Sequence, residues 1–144
     1  MNILFFLTPK SEVAYVEEDD TLRQALEKME HHGYAAVPLL STEGRYIGTL
    51  TDGDVLWGLK EKEFPGLREM EDISVMEIKR TRDNKPVHVN VDMEGLLEKV
   101  SVQNFVPVVD DEKVFIGIVT RRDVIHYLAG QHQSCLLYTS PSPR

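Results

Sequence analysis

Hydrophobic positions along the chain switch between a two-residue and a 3.6-residue period, and the whole succession of switches occurs twice. In the first half, Val13-Ala14-Tyr15-Val16 reads as a short strand. Asp19-Asp20-Thr21 then opens a predicted helix whose apolar stripe is Leu22, Ala25, Leu26 and Met29, the i, i+3, i+4, i+7 spacing of one helix face. Gly33 ends it after His31-His32, where cationic histidine favours the helix C-terminus. Ala35-Ala36-Val37-Pro38-Leu39-Leu40 is a buried-strand run, Thr42-Glu43-Gly44-Arg45 a hairpin turn, and Tyr46-Ile47-Gly48-Thr49-Leu50 the returning strand. Past Thr51 a helix carries Val55, Leu56 and Leu59.

The second half repeats this order. Val87-His88-Val89 is the first strand, and Asp92 opens a helix bearing Leu96, Leu97 and Val100, weakened locally by Gly95. Asn104-Phe105-Val106-Pro107-Val108-Val109 and Phe115-Ile116-Gly117-Ile118-Val119 form a hairpin across Asp110-Asp111-Glu112-Lys113. Val124, Ile125 and Leu128 line a last helix that Gly130 is expected to terminate. Between the halves, Lys60-Glu61-Lys62-Glu63 followed by Phe64-Pro65-Gly66 marks a solvated helix end and a turn. The expected organisation is a first repeat over residues 1–59, a linker over 60–72, a second repeat over 73–130 and a disordered tail over 131–144. The class is α+β (mixed α/β), with the two strand-helix-strand-strand-helix units packed about a pseudo-twofold axis.

One motif closes each unit. Gly48-Thr49-Leu50-Thr51-Asp52-Gly53-Asp54 returns as Gly117-Ile118-Val119-Thr120-Arg121-Arg122-Asp123. The offset is constant for the Gly (117 − 48 = 69), the Thr (120 − 51 = 69) and the Asp (123 − 54 = 69), and Pro38 and Pro107 keep the same step. A motif repeated in register with its upstream frame means internal duplication.

Composition changes the picture at one end. Cys135-Leu136-Leu137-Tyr138-Thr139-Ser140-Pro141-Ser142-Pro143-Arg144 looks like the in-frame translation of a sequencing-library adapter, and it is set aside from fold reasoning. Without it the formal charge is 15 − 24 = −9, and the only Cys is gone. Disulfides and a thiolate-zinc site are then excluded, and an acidic surface argues against a nucleic-acid partner. Ile3-Leu4-Phe5-Phe6-Leu7 is too short for a signal peptide's apolar region, and no segment is long enough to span a bilayer, so a cytoplasmic protein without a membrane partner is expected.

The motif's chemistry has two readings. Thr51 and Thr120 stand where a strand hands over to a helix, so unpaired N–H groups and the helix dipole favour an anion there. Asp54 and Asp123 lie one turn further on, where a carboxylate can accept both hydroxyls of a ribose. Thr-x-x-Asp before an apolar run is equally a capping box, which contributes roughly 1 kcal/mol and needs no ligand. No catalytic arrangement accompanies it: there is no Cys nucleophile, no Ser/His/Asp grouping and no Walker-type loop. His88, His126 and His132 have no metal-ligand spacing.

Two tandem units of this order, each ending in Gly-h-h-Thr-x-x-Asp and preceded by Val37-Pro38 or Val106-Pro107, resemble a pair of cystathionine β-synthase (CBS) domains, the Bateman module, over roughly Met1 to Gly130. The resemblance implies a non-enzymatic regulatory module. It implies an adenosine-containing ligand of the AMP, ATP or S-adenosylmethionine class in clefts between the repeats, no required cofactor, homodimerisation into a flat disc and an unknown effector protein. The alternative is a structural dimerisation module whose motifs only cap helices. Carried onto this chain, the ligand reading makes Thr51, Asp54, Thr120 and Asp123 ribose contacts. Ala36, Val37, Pro38, Phe105, Val106 and Pro107 become the adenine wall, together with Tyr34, Ala35 and Asn104. Lys10, between Pro9 and Ser11, is a further cleft candidate.

The two sites differ in their variable pair. Arg121-Arg122 favours a phosphate near the second motif, whereas Asp52 in Asp52-Gly53 opposes one near the first. A contact charge is worth roughly 1–4 kcal/mol between water-like and surface dielectric values. The Thr120/Asp123 cleft is therefore expected to be the tighter site, with Arg121 or Arg122, and also Lys79 or Arg80, on phosphate; ordinary surface charge is the bland reading of the Arg pair. Trp57 lies off its helix's stripe and suits either an internal contact or a dimer interface.

Overall fold

The computed structural model describes residues 2–33 and 35–135. After a 3-10 turn at Ile3–Phe5, the elements are β1 (Thr8–Pro9), β2 (Val16–Glu17), α1 (Leu22–His32), β3 (Ala36–Leu40), β4 (Tyr46–Thr51), α2 (Asp52–Glu61), α3 (Leu67–Met70), β5 (Val87–His88), α4 (Met93–Val100), β6 (Phe105–Val109), β7 (Phe115–Thr120) and α5 (Arg121–Cys135). The mixed α+β class and the doubled order agree with the sequence reading.

Local chemistry explains the boundaries. Thr21 and Gln24 form a reciprocal capping box at the start of α1, and Gly33 closes it in the left-handed region at φ 67°. Asp92 caps α4 by accepting from Gly95 N. Each β-hairpin pairs antiparallel, and each first strand joins its hairpin in parallel, β2 on β3 and β5 on β6.

The repeats are interlocked rather than merely adjacent. One sheet has the order β2-β3-β4, whereas the other is β1-β7-β6-β5. The N-terminal arm therefore crosses to the second repeat, where Ile3 and Phe6 join Leu96, Val106, Val108 and Val119 in one core. Reciprocally, Met70, Val75 and Ile78 from the connecting segment enter the first repeat's core with Leu22, Val37, Leu39 and Leu50. The hairpin turns also meet, Phe115 N donating to Gly44 O at 2.9 Å and Arg45 Nε to Glu112 O at 3.1 Å.

Several expectations need correction. The run Ile3–Leu7, read from the sequence only as too short for a signal peptide, sends Ile3 and Phe6 into the second core while Leu4 and Phe5 stay exposed. Residues 60–72 are no simple spacer, since α2 extends to Glu61 and Met70 of α3 is buried. Gly130 does not stop the last helix, which runs on to Cys135. A mid-helix Gly costs only about 1 kcal/mol, and no Pro occurs between Gly130 and Pro141. The expected tail thus does not begin at residue 131; its remainder, residues 136–144, lies outside the described residues. Leu56, Ile125, Leu128 and Leu97, read as stripe positions, are exposed.

Candidate functional site

Strand alternation brings residues from both repeats and from the arm to one cleft of about 290 Å³. Its floor and walls are Ala35, Ala36 and Pro38 at β3, Asn104 and Phe105 at β6, and Ile118 and Thr120 on β7. The arm supplies Thr8, Glu12, Val13 and Ala14. The arm's position depends on Gly117: a Cβ there would collide with the Thr8 carbonyl oxygen across the β1–β7 pairing.

At the rim stands the second motif. Thr120 Oγ1 accepts from Asp123 N at 3.0 Å, in the first turn of α5. Among the described residues no donor reaches the half-buried Asp123 carboxylate. This is half a capping box, with the carboxylate left over.

The first motif is built from equivalent residues and behaves differently. Thr51 Oγ1 accepts from Asp54 N at 3.0 Å, and Asp54 Oδ2 accepts in return from Thr51 N at 3.1 Å. Asp54 Oδ1 accepts from both Thr81 N at 3.1 Å and Thr81 Oγ1 at 2.8 Å. The Asp54 residue is 2 % exposed. Both carboxylate oxygens are consumed inside the protein.

Of the sequence-predicted residues, Ala36, Pro38, Phe105 and Thr120 line the open cleft, with Asp123 one turn beyond. Val37 and Val106 do not: a strand turns alternate side chains to opposite faces, and both point into the cores. Pro107 is buried away from this cleft. Lys10 lies in the arm, but its ammonium sits 5.2 Å from the Tyr15 ring centroid. Arg80 belongs to the other motif, where its Nε donates to Asp83 Oδ1 at 2.8 Å beside Gly48. Arg121 turns back, Nε donating to Val100 O at 2.7 Å, so its guanidinium is engaged at the end of α4. Arg122 and Lys79 are exposed and line no part of the cleft. Tyr34 lies outside the described residues.

The arm residues Thr8, Glu12, Val13 and Ala14 were missed, because hydrophobic periodicity does not reveal which repeat a short arm joins. Ile118 was legible: it lies two residues before Thr120 on one strand, hence on the same face.

The CBS domain family matches the chain at residues 6–61 and again at 75–130. Over 128 residues the chain is 33% identical to cyclic di-AMP receptor B of Bacillus subtilis (strain 168), covering 85% of this chain and 83% of that receptor. Inosine-5'-monophosphate dehydrogenase of Methanocaldococcus jannaschii is 28% identical over 79% of this chain, a stretch that takes in only 21% of the enzyme. Among solved structures, CbpB in complex with c-di-AMP superposes with a TM-score of 0.85 at 20% identity, over 96% of this chain and 91% of that one. CbpB from Listeria monocytogenes gives 0.74 at 26% identity, over 87% and 97%. Both repeats are matched and the two-sheet architecture is shared: the chain belongs to the CBS-domain family and carries two CBS domains in tandem.

Proposed function

We propose that the chain is a regulatory module that binds an adenine nucleotide in the cleft beside Thr120 and Asp123. The observation that carries this reading is the contrast between the two motif carboxylates. Asp54 has its oxygens filled by the protein, whereas Asp123 keeps its acceptor capacity one helical turn beyond Thr120, which lines the apolar cleft. A ribose offers such a carboxylate hydroxyl donors, two in AMP, ATP or S-adenosylmethionine and the 2′-hydroxyl alone in cyclic di-AMP, whose 3′ oxygens are esterified, and Ala36, Pro38 and Phe105 offer an apolar wall to a base. Arg122 is the exposed cation of the motif nearest Asp123 in sequence, and it is the candidate for a phosphate. Cyclic di-AMP is the first ligand to test, since that is the ligand named for the 33%-identical relative; AMP, ATP and S-adenosylmethionine are the comparators.

Signalling then needs no chemistry. A ligand that binds one packing of the repeats better than another shifts the population by that difference in affinity. In this reading the protein acts in the cytoplasm on an effector protein. A homodimer is supported by exposed Leu56 on α2 and Ile125 on α5, which occupy equivalent repeat positions (125 − 56 = 69). Those same residues favour the second reading, a dimerisation module that takes no ligand. A thermal-shift panel separates the two, because a ligand at 100 times its Kd adds about 2.7 kcal/mol to stability. A shift with cyclic di-AMP that disappears in Asp123→Ala supports the sensor; no shift with any of the four compounds supports the dimerisation module.

A further inference from the structure

The first motif has its own cleft position, related to the open one by the 69-residue step, and the chain fills it from within. The filling segment is the stretch at residues 80–84, at the start of the second repeat and ahead of β5. Thr81 donates two hydrogen bonds, from its N–H and its hydroxyl, to Asp54 Oδ1. Asp83 Oδ1 accepts from Thr49 N at 2.9 Å on the outer edge of β4. Asn84 N donates to Thr49 Oγ1 at 3.3 Å, and Asn84 Nδ2 reaches Phe105 O at 3.1 Å. Gly48 makes room for the strap, because a Cβ there would strike the Asp83 carboxylate.

Two substitutions between the repeats account for the difference. Thr49 corresponds to Ile118 of the open cleft (118 − 49 = 69), and Tyr46 to Phe115 (115 − 46 = 69). In the first repeat both positions carry hydroxyls, bonded to each other at 2.7 Å, and Tyr46 Oη also donates to Asn84 O at 2.7 Å. The second repeat has only hydrocarbon there, so the arm that crosses it has no polar post to close on, and a cavity remains. Burying Thr49 and most of Tyr46 is tolerable only because the strap satisfies their hydroxyls.

We infer that residues 80–84 are a built-in occupant of the first cleft, with Thr81 in the place of the sugar hydroxyls, so that the chain offers one nucleotide site rather than two. Tyr46 and Thr49 are the residues that determine which cleft is closed. The stoichiometry rests on the nucleotide reading above; the closure does not.

The test has a ligand-free and a ligand-bound arm, both on the full chain. In hydrogen exchange without ligand, the Thr81 and Thr49 amides should be protected. In Tyr46→Phe/Thr49→Ile, which installs the second repeat's residues, Thr81 protection should fall at least tenfold while β6 amides keep theirs. Thr81→Ala, a smaller change, should lower Tm by about 3–8 °C. Unprotected Thr81 in the parent chain, or protection unchanged in the double variant, overturns the closure. In calorimetry with cyclic di-AMP, one equivalent per chain is expected, and two equivalents overturn it. If the dinucleotide gives no heat, the nucleotide reading fails while the exchange arm still decides whether the cleft is closed.

Discussion

Asp54 and Asp123 occupy one position of a duplicated motif, yet their surroundings give them different work. Asp54 is a buried clasp between the start of α2 and the connecting strap, and it accepts three hydrogen bonds through two oxygens. Truncating it leaves Thr51 N and the Thr81 donors without their acceptor, so Asp54→Ala should cost about 2–4 kcal/mol in urea unfolding. Asp123 holds nothing in place through its carboxylate, and Asp123→Ala should cost under about 1 kcal/mol. Tyr46 adds a pH signature. Burial, the largest cause, pushes its phenol up from 10.0 to about 12. The folded chain therefore holds this proton more tightly than the unfolded one. The associated stability is complete below pH 10 and is lost as pH rises through about 12. Tyr46→Phe should accordingly flatten the fall in Tm between pH 10 and about 12 relative to the parent chain. An equal fall in both would contradict the burial of that hydroxyl.

Among the elements, the hairpins and the starts of α1, α2, α4 and α5 were legible because each rests on local signals, whereas α3 was read as linker. The capping box at Thr21, the left-handed Gly33 and the Pro-bearing strands lie close to where periodicity sets them. What periodicity does not carry is partnership. The run Ile3-Leu4-Phe5-Phe6-Leu7 has no distinctive pattern of its own, and only the antiparallel pairing of β1 with β7 delivers Ile3 and Phe6 to the second core. Phe6→Ala should therefore destabilise by about 3 kcal/mol and increase exchange first in β6 and β7 rather than in β3 and β4. The same limit explains the site. Ala36, Pro38, Phe105 and Thr120 were readable from motif and register, whereas Glu12, Val13 and Ala14 depend on a crossing that no local signal announces. The strap was hidden for a further reason: Thr81, Asp83 and Asn84 look like an ordinary polar loop until their partners at Tyr46, Thr49 and Asp54 are known.

At the scale of the molecule, each repeat's core is completed by the segment that precedes the other repeat, so the two cannot separate without exposing apolar surface. Under the proposed function such a body would respond to a ligand as a unit, with its outer helices as the surfaces that transmit the response. Leu56 is 61% and Ile125 56% exposed, and Trp57 is exposed with the Lys60 ammonium 4.7 Å from its ring centroid. If α2 and α5 form a homodimer face, Leu56→Glu/Ile125→Glu should shift the sedimentation coefficient to that of a monomer while Tm stays within a few degrees; an unchanged coefficient places the interface elsewhere or excludes it.

The central claim is that duplication left two motifs of which one still receives a ligand. Calorimetric titration of the parent chain, Asp54→Ala and Asp123→Ala with cyclic di-AMP tests it most directly. One equivalent should bind the parent chain, and Asp123→Ala should weaken binding at least tenfold, about 1.4 kcal/mol. Binding that survives Asp123→Ala intact and is abolished by Asp54→Ala would contradict it.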